Sequence, residues 1–258
     1  LFSAEKVFQT HAMKARPQTA SVVDRVLQVL ACVARAGHPI AAKQIAAEIG
    51  TPLSTVYRHL AALRQWGLLQ EHSNTGFFEP GPTGVQLAWG FDQSSHLVSQ
   101  SRDEIKELVA RTGESVGLMV YLNAQLVCLA LTESEHPLRC SFARGRAHSM
   151  VRGASAKALL AFLPQPLQRD LIAAQLGDDP AAQAALRSQL SEIRSKGYAL
   201  SEGEVDAGVW GVSAALLSES GRLEGALSLM APCVRAASRA AEFIRLTRDA
   251  AERISSSL

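Results

Sequence analysis

Ala41-Ala-Lys-Gln-Ile-Ala-Ala-Glu-Ile-Gly50 and Thr51-Pro-Leu-Ser-Thr-Val-Tyr-Arg-His-Leu-Ala-Ala-Leu-Arg-Gln-Trp-Gly67-Leu-Leu69 form the stretch that decides the fold of the first part of this chain. Ile45 and Ile49 stand four apart and can share one buried face. Gly50 suits a left-handed helix end. Thr51 is placed to cap the next helix, with Pro52 at its first position. In that second helix Val56, Leu60 and Leu63 recur at helical spacing. Ser54, Thr55, Tyr57, Arg58 and His59 are left to point elsewhere. A short helix, a glycine turn and a helix with small hydroxyls beside an arginine make a helix-turn-helix. Its second helix suits the major groove, where hydroxyls reach phosphates or bases and arginine pairs with guanine.

The flanks extend the motif. Ser21 to Arg35 reads as a first helix, with Val22, Val26, Leu27, Leu30 and Val33 on its buried side and Gly37-His-Pro39 as its break. Leu68-Leu69 and Phe77-Phe78 read as two strands joined across Asn74-Thr-Gly76. Three helices and a hairpin are the parts of a winged helix-turn-helix.

The chain has 258 residues, enough for two domains, and 47% of it is hydrophobic, so each can hold a core. A formal net charge of +2 argues against a protein that coats nucleic acid. Residues 1–80 carry eight Lys or Arg against five Asp or Glu, a mild excess. Each head therefore makes a modest contact, and pairing of two heads must supply the rest. Four scattered cysteines, Cys32, Cys128, Cys140 and Cys233, have neither metal-ligand nor disulfide-framework spacing, and Cys32 reads as core. No apolar run approaches the length of a membrane span and no signal peptide is visible, so a cytoplasmic setting is expected. No metal or other cofactor is expected.

Beyond Pro80-Gly-Pro-Thr-Gly84 the pattern changes. A linking helix is expected over Val85 to Gln100, and another helix over Arg102 to Thr112. Period-two alternation then predicts strands at Ser115–Leu122 and Gln125–Leu131, joined at Asn123-Ala124, with a third at Arg139–Ala143. Helices are expected at Ala154–Leu163 and Gln183–Ser195, a short strand at Tyr198–Leu200, and a second hairpin from Val209–Leu217 and Leu223–Met230. A long helix from Val234 to Ser255 closes the chain. The expected class is α+β. Its domains are a leader or flexible arm over 1–18, a winged helix-turn-helix over 19–82, a linker helix over 83–101, and an effector-binding and oligomerisation domain over 102–258.

The sequence resembles the IclR family of bacterial transcriptional regulators over nearly its whole length from Ser21. In the head the match is Gln44-Ile-Ala-Ala-Glu-Ile-Gly50 with Ser54-Thr-Val-Tyr-Arg58-His-Leu60. The more specific matches come later and in the family's order. They are Ala154-Ser-Ala-Lys157-Ala-Leu-Leu-Ala-Phe-Leu-Pro164, Lys196-Gly-Tyr-Ala199, Gly208-Val-Trp-Gly-Val-Ser-Ala214-Ala and Gly225-Ala-Leu-Ser228-Leu. The resemblance implies a GAF-like effector domain with an antiparallel sheet flanked by helices, dimers that often pair into tetramers, a palindromic operator, and a small-molecule carboxylate as effector. By motif it places Ser54, Thr55, Tyr57 and Arg58 on DNA, with Arg25. It places Ala154, Ser155, Ser201, Gly211, Ser228 and Met230 around the effector.

The glycine of the family's GKA motif is Ala156 here, the cysteine of its GVxC segment is Gly211 and the second serine of its last strand is Met230, changes that remove polar groups and point to an acid with an apolar or aromatic body. The wing carries Glu71 and Glu79 and no Lys or Arg, and Leu53 precedes Ser54 where a basic residue is common. Weight therefore shifts to Arg58, Arg25, Lys43 and the arm residues Lys14 and Arg16. The start of the Ala154 helix offers unpaired N–H groups and a partial positive charge, a seat for a carboxylate to which Ser155 and Ser228 can donate.

The expected function is thus a ligand-responsive regulator of a catabolic operon. Two other readings use the same residues. A metabolite sensor that no longer reads DNA would account for the acidic wing. An enzyme would have to use Lys157 or His148, but the Lys157 stem reads as folded over the surface and His148 has no catalytic partner by motif, so no catalytic residue is assigned.

Overall fold

The computed structural model describes residues 21–140, 144–145 and 147–258. The chain divides between Leu87 and Ala88 into two compact units, each with its own core.

The first unit contains α1 (Val22–Ala36), α2 (Ala42–Ile49), α3 (Leu53–Gln65) and a hairpin of β1 (Leu69–Glu71) and β2 (Phe78–Pro80). Ser21 opens α1 through a reciprocal bond with Asp24, and Gly37 ends it in the left-handed region. Gly50 ends α2 the same way, at φ 63°. Thr51 does not cap α3. Pro52 is the capping residue, and the Thr51 hydroxyl turns back to the Ile49 carbonyl. Val29, Cys32, Val33, Ile45, Val56, Leu60, Leu63 and Phe78 pack into one core, each large side chain contributing about 1.5–3 kcal/mol by burial. Ile40 and Phe78 exchange backbone hydrogen bonds, which fasten the hairpin to the α1–α2 corner.

Val22 and Leu27, expected inside, are exposed. Val22 lies in the first turn, beyond the edge of the core. Leu27 falls off the Val29–Val33 face, which the 3.6-residue period sets. Lys14 and Arg16 lie outside the described residues.

α4 (Thr83–Ser94) and α5 (His96–Thr112) replace the expected linking helix and its successor. The break falls at Ser95, whose hydroxyl accepts from Val98 N–H and starts a new helix there. A six-stranded antiparallel sheet fills the second unit, in the order β5-β4-β3-β8-β7-β6. Its strands are β3 (Ser115–Leu122), β4 (Gln125–Thr132), β5 (Ala147–His148), β6 (Ala199–Glu202), β7 (Val209–Leu217) and β8 (Leu223–Pro232). Asn123 and Ala124, both at positive φ, make the tight β3–β4 turn. Of the strand expected at Arg139–Ala143, Arg139 and Cys140 are not extended in a ladder and the rest lies outside the described residues. On that side of the sheet the edge strand is β5, paired with β4.

Period-two alternation gives the sheet two buried faces. On one, Trp210, Val212, Leu227 and Leu229 meet α5 and α10 (Ala240–Ser255). The other face meets α6 (Ala154–Phe162), backed by α8 (Pro180–Lys196). α7 (Gln165–Leu176) was not expected. Pro164 ends α6, but its fixed φ also suits the position before a helix, so a second helix starts beside the first. The final helix is likewise two pieces, α9 (Cys233–Ala236) and α10. Burial raises the Cys128 thiol to about 11, and burial together with the nearby Glu48 raises Cys32 to about 11, as suits core residues.

Candidate functional site

Helix α3 buries Val56, His59, Leu60 and Leu63. Ser54, Tyr57 and Arg58 remain exposed, with Thr55 half-buried. The Arg58 guanidinium reaches the Thr55 hydroxyl at 3.3 Å. These four side chains share the open side of the helix. Arg25 of α1 is half-buried and Lys43 of α2 exposed.

His59, expected outside, is 7% exposed, and its Nε2 is buried without a hydrogen-bond partner among the described residues. Its pKa is lowered by burial first, then by the positive charges of Arg58 and Arg25. The positive charges of both arginines thus disfavour the protonated imidazole. A folded imidazole with a depressed pKa stays neutral while the unfolded one takes up a proton near pH 6.5. The first unit should therefore lose stability as pH falls below that range. His59→Phe should flatten this dependence in thermal unfolding between pH 7 and pH 5.

The wing is less acidic than its sequence suggests. Arg64 of α3 forms an ion pair with Glu71, and Gln70 donates to Glu79 at 2.8 Å.

In the second unit a cavity of about 500 Å³ opens between the start of α6, the sheet and the segment joining β6 to β7. Ladder register explains its wall. Ser201, Gly211 and Met230 are cross-strand partners in one row over β6, β7 and β8. Together with Ala154 and Ser155 from α6, all three line the cavity. A Cβ on Gly211 would sit 3.3 Å from Ser201 Oγ and 3.8 Å from Ala154 Cβ, so a larger residue there would crowd the wall between β6 and α6.

Five of the six residues expected at the effector are thus brought together. Ser228 is not on the wall. It lies in the next row, paired with Ser213, and is 1% exposed beneath α6. Ser213 takes its place on the wall. Its hydroxyl donates to Ser228 Oγ at 2.6 Å and lies 3.3 Å from Ser155 Oγ. Ser213 could have been found from its position two residues after Gly211 on the same strand face. Arg139, Arg152, Asp206 and His148 also border the cavity. Their approach depends on loops that carry no periodicity.

Lys157 does not lie over the surface. It is 6% exposed, and its ammonium pairs with Glu204 at 2.5 Å. Glu204 also accepts from the Gly153 N–H at 2.9 Å. A carboxylate of the chain itself therefore sits at the start of α6. The N–H groups of Ala154 and Ser155 have no partner within the helix.

Two family models match. The IclR helix-turn-helix domain covers residues 22–73, and the bacterial transcriptional regulator IclR C-terminal domain covers residues 92–256. The HTH-type transcriptional regulator BhcR of Paracoccus denitrificans is 28% identical over 221 residues, which span 83% of this chain and 78% of that protein. The transcriptional repressor IclR of Escherichia coli is 24% identical over 253 residues, 94% of this chain and 92% of that protein. An IclR homolog from Microbacterium hydrocarbonoxydans, solved with 4-hydroxybenzoate, shares the fold at a TM-score of 0.72 and 20% identity, covering 92% of this chain and 99% of that one. No helix among the described residues is long and apolar enough to cross a membrane. A DNA-binding helix-turn-helix unit and an effector-binding α/β unit occupy the places that both models assign them, and the chain belongs to the IclR family of bacterial transcriptional regulators.

Proposed function

We propose that this regulator senses a small organic acid with an apolar, aromatic-sized body and controls a catabolic operon by reading a palindromic operator as a dimer. The cavity carries the reading. Its wall combines the α6 start and Ser155, Ser201 and Ser213 with an apolar end formed by Met230, Val209 and Pro232. A carboxylate would accept from the N–H groups of Ala154 and Ser155 and from the serine hydroxyls. The 4-hydroxybenzoate in the Microbacterium homolog supports an acid of this size.

The head supports pairing. Val22, Val23 and Leu27 on α1 are exposed, as is Val85 at the start of α4. So much open apolar surface favours burial against a second copy. Two near-neutral heads on one palindrome supply phosphate contacts that one cannot.

Gly211→Cys should fill the space beside Ser201 and weaken an aromatic acid about tenfold. Ser155→Ala removes a hydroxyl and should cost about 1–3 kcal/mol of binding. Ser228→Ala, behind Ser213, should cost less. Calorimetric titration with 4-hydroxybenzoate and benzoate tests the set. Parent-like binding by both Gly211→Cys and Ser155→Ala would move the ligand elsewhere.

A further inference from the structure

Residues 203–208 form a strap between β6 and β7, and Val205, Asp206 and Gly208 make up one side of the cavity. Glu204 fastens this strap to α6. One carboxylate oxygen takes the Gly153 N–H at 2.9 Å, the other pairs with Lys157 Nζ at 2.5 Å, and Arg152 donates to the Glu204 backbone carbonyl. The strap sits close to the helix start, since a Cβ on Gly153 would lie 2.9 Å from Val205 Cγ2. Its ends are Gly203 and Gly208, at φ +65° and +80°, both with open space where a Cβ would stand. Only glycine adopts such angles without strain, so the ends can rotate with little steric hindrance.

The two charges of the pair are unequally placed. The Lys157 side chain is 8% exposed, whereas that of Glu204 is 34% exposed. Glu204 can turn out into water and keep its charge solvated. Lys157 cannot follow, and a buried ammonium without a counter-charge is strongly disfavoured. Whatever releases Glu204 must therefore bring a negative charge of its own.

We propose that Glu204 is a built-in stand-in for the effector's carboxylate. An anionic ligand at the α6 start, beside Gly153 on the cavity wall, takes over the Gly153 N–H and reaches Lys157 Nζ, which lies behind that wall, as Glu204 turns out to solvent and the 203–208 strap comes away from α6. The proposal rests on the cavity being the effector site and adds how that site selects charge. An acid can exchange one ion pair for another. The matching amide cannot, so the device rejects neutral isosteres of the same shape. No covalent bond is made or broken.

The test uses full-length parent protein, Glu204→Ala, and the double variant Lys157→Met/Glu204→Ala, with benzoate, acetate and benzamide as probes. Glu204→Ala should lower Tm by roughly 10 °C, because it strands Lys157. Benzoate, or acetate at high concentration, should restore much of that loss, and benzamide should not. Benzoate should bind Glu204→Ala at least tenfold more tightly than the parent, which must first expel its own carboxylate. The double variant, with no buried charge to neutralise, should show no such rescue. In the parent, benzoate should speed amide hydrogen exchange within residues 203–208. Equal benzoate affinity in parent and Glu204→Ala, rescue by benzamide, or rescue of the double variant would overturn the proposal. If the parent binds benzoate while exchange in the strap is unchanged, the cavity assignment survives and the exchange of carboxylates does not. If none of the three proteins binds either acid, both fail.

Discussion

Arg58→Ala should abolish most discrimination between operator and scrambled DNA. The guanidinium is exposed on the open side of α3, braced by Thr55 and flanked by Ser54 and Tyr57. An arginine so placed can pair with a guanine edge, at about 1–3 kcal/mol per half-site, or roughly twice that over two half-sites. Lys43, exposed on α2, should behave differently when changed to Ala. A lost phosphate contact weakens every sequence alike and lowers the salt slope by about one. Fluorescence anisotropy on both DNAs at several salt concentrations separates the two. If Arg58→Ala keeps the parent's preference for the operator, Arg58 does not read bases.

Arg235→Met should be strongly damaging to the second unit. Glu114, just before β3, is 1% exposed and receives two hydrogen bonds from Arg235, at 2.5 and 2.7 Å. Removing the guanidinium strands a buried carboxylate, which costs about 3–5 kcal/mol and on the order of 10 °C in Tm for a unit of this size. Arg235 directly follows Cys233 and Val234, which line the cavity, so ligand affinity should fall too. The double change Glu114→Gln/Arg235→Met should recover much of the stability, because no buried charge remains. A Tm loss under about 2 °C in the single variant would mean that the pair contributes little.

Sequence periodicity fixed the elements more securely than the contacts between them. Gly50 and the Ile45–Ile49 spacing marked the helix-turn-helix, because a left-handed helix end and a buried stripe are local properties. Asn123-Ala124 marked a hairpin for the same reason. His59 reads as outward only if its polar type is weighed alone. It stands three residues after Val56 and one before Leu60, so helical phase turns it inward. Pro164 and Ser95 each end one helix and begin the next, which a reading of Pro and Ser as mere breaks or spacers misses.

The second unit's site was legible where strand phase decides it. Ser201, Gly211 and Met230 share a row, and the row faces the cavity. Which of Ser213 and Ser228 meets the cavity depends on where α6 crosses the sheet, a tertiary fact without a local signal. The Lys157–Glu204 pair joins residues 47 apart in sequence. Charge alone made Lys157 look like a surface residue, and no spacing rule links it to a carboxylate on a loop.

A small acid in the second unit's cavity is expected to change how the heads hold DNA. The most direct test is operator affinity, measured by anisotropy on the DNA upstream of this protein's own gene, with and without saturating 4-hydroxybenzoate or benzoate. A coupling of about 1–3 kcal/mol is expected, a change in Kd of some five- to hundredfold in either direction, and it should be lost in Gly211→Cys. Calorimetric binding of the acid with an operator Kd unchanged within twofold would contradict the account.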